Sequence, residues 1–148
     1  MSARSAHAAA APRSRGEPGV QRLPPWAARV LYGVADALAP AAPGRPGGGD
    51  LDLVPPVERR LTSARERRKL ELVLALLEWE PRVRLRSLRG FAWLAVRERR
   101  ALLAAWEASP LMPRRQAAAW LRELVEAALA EARGAAAGPP PPQFLGGP

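Results

Sequence analysis

Three pairs of carboxylates stand close enough in the chain to raise the question of acid–base chemistry: Asp50 with Asp52, Glu78 with Glu80, and Glu123 with Glu126. A two-carboxylate site divides proton donation and nucleophilic or base work between such groups across a substrate. These pairs have no supporting nucleophile or base. The only histidine, His7, lies in an Ala/Arg/Ser-rich stretch, and cysteine is absent. Ser-His and Cys-His arrangements are therefore excluded, as are disulfides and thiolate metal sites. With arginines close by, the acidic pairs read as solvated, ion-paired helix faces. The expectation is a chain with no catalytic residue, no metal and no cofactor of its own.

Gly47-Gly48-Gly49 is the one stretch that could cradle a phosphate. Phosphate loops of that kind follow a strand and open a helix, with a lysine or further glycines at fixed offsets. Here a Pro-rich segment precedes, Asp50 follows and no lysine is in reach. The segment reads as a linker. The cluster Arg82, Arg84, Arg86, Arg89, Arg97, Arg99 and Arg100 is the best candidate for nucleic acid, since phosphate backbones need dense positive charge. Glu98 and Glu107 dilute it, and no recognition-helix signature accompanies it. A basic helical nucleic-acid-binding or regulatory protein stays open as an alternative.

Five tryptophans, Trp26, Trp79, Trp93, Trp106 and Trp120, are many for this length. Core packing is the default for each, and any that the helices leave uncovered would form a docking patch, because Trp and Arg are typical interface anchors.

The elements that must position these residues are helical. From Phe91 to Leu129 two amphipathic helices are predicted around a Pro-containing elbow. Leu94, Leu102, Leu103 and Trp106 form the stripe of the first; Trp120, Leu121, Leu124, Val125 and Leu129 form that of the second. Ser109 is an N-cap candidate, and Pro113 places the start of the second helix near Met112. Upstream, Pro24-Pro25 open a helix with the stripe Leu23, Ala27, Val30/Leu31, Val34 and Leu38. Residues 42–50 read as a flexible connection, and Pro55-Pro56 begin a short helix carrying Val57 and Leu61. Ser63 and Glu66 form a capping box for a longer helix that Pro81 should stop. That helix is apolar nearly all round after its first turns, which predicts the most buried position in the bundle. Residues 82–90 alternate Arg with apolar residues and read as an extended linker or irregular helix; Gly134 marks the last C-cap.

The predicted fold class is all-α: a bundle of four main helices plus one short helix. Its domains are an arm at residues 1–22, the bundle at 23–133 and a Pro/Gly-rich tail at 134–148 ending in Phe144-Leu145. The 17 prolines and 12 glycines concentrate at residues 12–25, 40–56 and 138–148. What remains, roughly 90–100 residues, suffices for one small core. Net charge is +9, and of 23 basic residues only Lys69 is not arginine, which suits an acidic partner or reflects compositional bias on solvated faces. No apolar run spans a bilayer and no signal peptide is recognisable, so a cytoplasmic location is expected, or a periplasmic one by export with a partner.

Within the stretch from Phe91 to Arg115 the residues Phe91, Leu94, Arg99, Leu103, Trp106, Ser109, Arg114 and Arg115 stand at characteristic intervals. This pattern resembles the small helical module of the gluconate 2-dehydrogenase subunit 3 type, also found before the flavin domain in long-chain alcohol oxidases and related glucose-methanol-choline oxidoreductases. Ala35-Asp36-Ala37-Leu38-Ala39-Pro40 is similar to the end of that module's opening helix, and the likeness covers about residues 27–133. It departs at Ala127-Ala128-Leu129, where related chains carry an aromatic pair, and at Ala95. The resemblance implies a non-catalytic accessory subunit, without flavin, whose partner is a separately encoded flavoprotein dehydrogenase or oxidase. Trp93, Arg99, Trp106, Arg114, Arg115 and Trp120 are the expected partner contacts, with Glu107 as an internal alternative for Arg99.

Overall fold

The computed structural model describes residues 22–139. The expectations for His7, the N-terminal arm and the Phe144-Leu145 tail lie outside the described residues. Five helices follow in order: α1 (Pro25–Leu38), α2 (Val54–Arg60), α3 (Ala64–Arg84), α4 (Val96–Glu107) and α5 (Met112–Ala136). Single 3-10 turns lie at Gly48–Asp50 and Phe91–Trp93, and there is no strand among the described residues. The chain is thus the all-α bundle of four long helices and one short one that periodicity predicts.

The centre of the bundle is α1. Ala27, Val30, Leu31, Val34, Ala35 and Ala37 are all buried on it, and it touches α3, α4, α5 and both 3-10 turns. Small alanines let its neighbours approach on several sides at once. At Gly33 a Cβ would stand 3.3 Å from the Phe91 ring, so this glycine makes room for a fully buried aromatic.

The central place was expected for α3, and the structure corrects this. Leu70, Val73, Leu74, Leu77 and Pro81 face the core, while Leu72, Leu76 and Trp79 are 60, 54 and 58% exposed. Apolar residues all round a helix say nothing of how many neighbours it has; α3 packs by one face only. Nor does α3 end at Pro81. It continues to Arg84, because a proline near a helix end forfeits few hydrogen bonds and the following turn is tied back. The Leu85 and Ser87 amides both donate to the Pro81 carbonyl, at 3.0 and 3.2 Å. Arg86, at φ 49°, then turns the chain out of the helix.

Other boundaries move for local reasons. Phe91–Trp93 is a separate turn, Leu94 and Ala95 are extended, and α4 begins at Val96 with the Glu98 carboxylate accepting from the Ala95 amide at 3.0 Å. Leu94 is buried nonetheless, below rather than on the helix stripe. Gly134 does not cap α5; the helix runs on through Ala135 and Ala136, and Gly138 is the residue with φ near 70°. One interior glycine costs a helix only about 1 kcal/mol, which flanking alanines tolerate. The Ser63–Glu66 box is as predicted, with Glu66 N–H on Ser63 Oγ at 3.1 Å and Ser63 N–H on the Glu66 carboxylate at 3.3 Å.

Residues 42–50 are not a loose connection. Gly47 and Gly48 are buried, and the Gly48 amide donates to the Ala39 carbonyl at 2.7 Å. A Cβ on Gly48 would sit 2.4 Å from the Ala35 carbonyl oxygen. These glycines fit a strap against α1, and that close approach is their physical reason.

Candidate functional site

The residues expected to contact a partner are, with one exception, bound into the bundle. Arg99 on α4 donates to the Ala92 carbonyl at 3.0 Å and lies 3.6 Å from the Asp36 carboxylate on α1. Asp36 in turn accepts the Gly49 amide at 2.7 Å, so one carboxylate joins α1, α4 and the glycine strap. Arg99 does not pair with Glu107. That carboxylate accepts from Arg122 on α5 at 2.6 Å, a contact that raises the Arg122 pKa above its ordinary value.

Arg114 reaches Glu80 on α3 at 3.1 Å, with its guanidinium 5.7 Å from the centre of the Trp106 ring. Arg115 donates to the Ser109 carbonyl at 2.6 Å, and Ser109 Oγ accepts from the Leu111 amide at 3.2 Å, securing the elbow before α5. Trp106 is 2% exposed, and its Nε1 has no hydrogen-bond partner among the described residues. Trp120 is half-buried under the Lys69 ammonium, 4.2 Å from its ring centre. Of the three tryptophans only Trp93 stands largely free, at 61% exposure; Arg115 is exposed as well but held by its bond to Ser109. The six do not form one open surface; they are mostly the joints of the scaffold.

The acidic pairs do not converge either. Glu78 turns to one side of α3, where its carboxylate accepts the Ala92 amide at 3.0 Å; Glu80 turns to the other, toward Arg114. Glu80 is only 10% exposed at its side chain, so this pair is structural rather than a solvated face. Asp50 accepts from the Gly47 amide at 3.0 Å, while Asp52 is exposed. Glu126 pairs with Arg122 at 3.3 Å, and Glu123 faces solvent. No group of three or more His, Cys, Asp or Glu side chains among the described residues is placed to hold a metal. No described helix is long and apolar enough to cross a membrane.

What stands open is the outer side of α3 and the loop that follows. Leu72, Leu76, Trp79 and Val83 recur at one-turn spacing directly opposite the buried face, all more than half exposed. The Arg82 guanidinium lies 4.7 Å from the centre of the Trp79 ring, and Arg29 stands 5.5 Å from that of Trp93. Beyond them a shallow depression is lined by Arg82, Leu88, Arg89, Gly90 and Trp93. Of the basic cluster, Arg82, Arg84, Arg86, Arg89, Arg97 and Arg100 are exposed, and Arg99 alone turns inward.

Leu72 and Leu76 lie on the helix for which apolar residues nearly all round predict the most buried position, yet both are exposed. The signal of this is the second stripe itself: a helix of a four-helix core buries one stripe, and α3 carries two. No family model, no curated protein and no solved structure matches the chain.

Proposed function

We propose that the chain is a non-catalytic accessory subunit that docks on a separately encoded flavin-dependent alcohol or sugar dehydrogenase of the glucose-methanol-choline type. The observation that carries the docking reading is the outer stripe of α3. Leu72, Leu76 and Trp79 are each more than half exposed, although side chains of this kind are ordinarily buried. A straight row of large apolar groups on a helix is suited to packing against a facing helix or groove, with the Trp79 ring as its anchor.

The class of partner rests on the resemblance of the eight positions from Phe91 to Arg115. Their places agree with a scaffold module: Phe91 fills the space beside Gly33, Leu94, Leu103 and Trp106 are buried, Arg99, Arg115 and Ser109 secure the turns, and Arg114 ties α5 to α3. Contact then falls to α3 and to Trp93, rather than to Arg99, Arg114 or Arg115.

Co-expression with the flavoprotein encoded nearest to this chain, followed by co-purification, tests the reading. The expected result is a stable complex that Leu76→Asp and Trp79→Asp each abolish while the subunit stays helical. Failure of the unaltered chain to associate with any such enzyme overturns it.

A further inference from the structure

We infer that the segment Arg82–Arg89, the last turn of α3 and the bend after it, is a lipid-contacting tip that recognises the anionic surface of a phospholipid bilayer. The segment reads Arg-Val-Arg-Leu-Arg-Ser-Leu-Arg. Its apolar members are turned out rather than in: Val83, Leu85 and Leu88 are 79, 57 and 98% exposed. The left-handed backbone at Arg86 and the double tie to the Pro81 carbonyl shape the turn that carries Leu88 into solvent.

Around these three apolar groups stand Arg82, Arg84, Arg86 and Arg89, all exposed. No carboxylate occurs from Pro81 to Arg97. The nearest ones upstream are withdrawn, Glu78 onto the Ala92 amide and Glu80 toward Arg114. Among the described residues only Arg84 of the four arginines meets a carboxylate, at 3.6 Å from Glu80. The tip is therefore apolar and cationic at once, and the one carboxylate at its base, Glu80, is shared between Arg84 and Arg114.

A bilayer with anionic lipid complements both properties in one plane. Apolar side chains enter the acyl boundary, arginine stems lie along it, and guanidinium groups remain at the phosphates. Trp93, in the same depression as Leu88, is an amphipathic ring of the kind that settles at head-group level. Competing occupants fit less well. A nucleic acid would satisfy the arginines and leave Val83, Leu85 and Leu88 in water between phosphates. A second copy of this chain would bring arginine against arginine. The inference differs from the docking reading, which rests on Leu72, Leu76 and Trp79 of α3; Trp93 is the one residue that both use.

The test is partitioning of the full chain onto vesicles of phosphatidylcholine alone and of phosphatidylcholine mixed with phosphatidylglycerol, followed by sedimentation and tryptophan emission. Binding to the anionic vesicles alone, with a blue shift of emission, is expected. Each arginine near such a surface contributes about five-fold, so Arg84→Gln with Arg86→Gln should weaken partitioning by about 25-fold. Leu88→Ser, which leaves the charge intact, should weaken it by about ten-fold or more. Circular dichroism should be unchanged in both variants, and Leu88→Ser should still associate with a flavoprotein that the unaltered chain binds. Absence of partitioning at low salt overturns the inference. So does undiminished binding by the Leu85→Ser, Leu88→Ser variant, which would reduce the contact to charge alone. Tighter binding to a short DNA duplex than to anionic vesicles would likewise overturn it and assign the arginines to nucleic acid.

Discussion

Where α4 and α5 meet α1, tryptophan and arginine point inward: Trp106 is buried, Arg114 lies over it and reaches Glu80, and Arg99 holds both the Ala92 carbonyl and Asp36. On the far side of α3, leucines and a tryptophan point outward, and the Arg82 guanidinium rests on Trp79 in solvent. The two regions use the same residue types in opposite ways. Residue type alone would put the interface on the first and the core on the second. What separates them is the number of partners each helix meets: α4 is flanked by α1 and α5, whereas α3 presents one whole side to solvent.

The sharpest way to break this contrast is at Trp106. Replacing a fully packed tryptophan with alanine leaves a cavity, so Trp106→Ala should lower unfolding free energy by about 3–5 kcal/mol in urea titration. A loss below about 1 kcal/mol would mean that the α4–α5 joint is not core, and the contrast would fall. Next comes Gly48→Ala. Its Cβ would collide with the Ala35 carbonyl, backbone that cannot swing aside, and overpacking of this kind costs roughly 1–3 kcal/mol. If Gly48→Ala were neutral, the strap would be the loose linker that its composition suggests.

Much of the scaffold is legible in the residues themselves. The Ser63–Glu66 box, the Pro-initiated α1 and α2 and the start of α5 at Met112 follow from local rules that act within one turn. What is not legible depends on distant backbone. Gly47-Gly48-Gly49 looks like a linker until Ala35 and Asp36 are set beneath it. Leu72 and Leu76 look like core until the described helices are assembled and leave both exposed. Arg99 invites an ionic partner, and Glu107 is in the right part of the chain, yet the carboxylate that reaches Arg99 is Asp36, on another helix. The candidate surface was the least legible part, because exposure is a property of the assembled bundle and not of any window of sequence.

Acid sharpens the contrast from the scaffold side. Glu131 on α5 has its pKa lowered from the ordinary 4.5, chiefly by hydrogen bonds from Arg59 and then Arg60 on α2. Glu66 is lowered likewise, chiefly by hydrogen bonds that its carboxylate accepts from the Thr62 hydroxyl and amide. Carboxylates whose folded pKa lies below the unfolded one contribute stability that is complete above about pH 4.5 and is lost as pH falls through the folded value. The melting temperature should therefore hold above that point and decline on acidification below it. Glu131→Gln should flatten the decline, and an identical acid profile in that variant would remove the α2–α5 tie from the account. The outer face of α3, whose stripe is Leu, Trp and Val, should have no part in this pH dependence.

The smallest effect on stability is expected where the largest effect on association is. Leu72→Ser, Leu76→Ser and Trp79→Ser alter side chains that are already mostly in water, so each should change unfolding free energy by no more than about 0.5 kcal/mol. Serine has a poorer helix propensity than leucine, which sets a loss of a few tenths as the expected direction. The triple variant should be no more prone to self-association than the unaltered chain, since its contiguous apolar row is gone. It should also fail to join a partner that the unaltered chain binds. A triple variant that unfolds would show that the stripe is covered within the chain itself. One that folds and still associates would place contact elsewhere on the bundle, with Trp93, Met112, Leu111 and Trp26 among the exposed apolar groups to alter next. Only a variant that folds and no longer associates leaves α3 as a helix with two distinct faces, one held by this chain and one reserved for another.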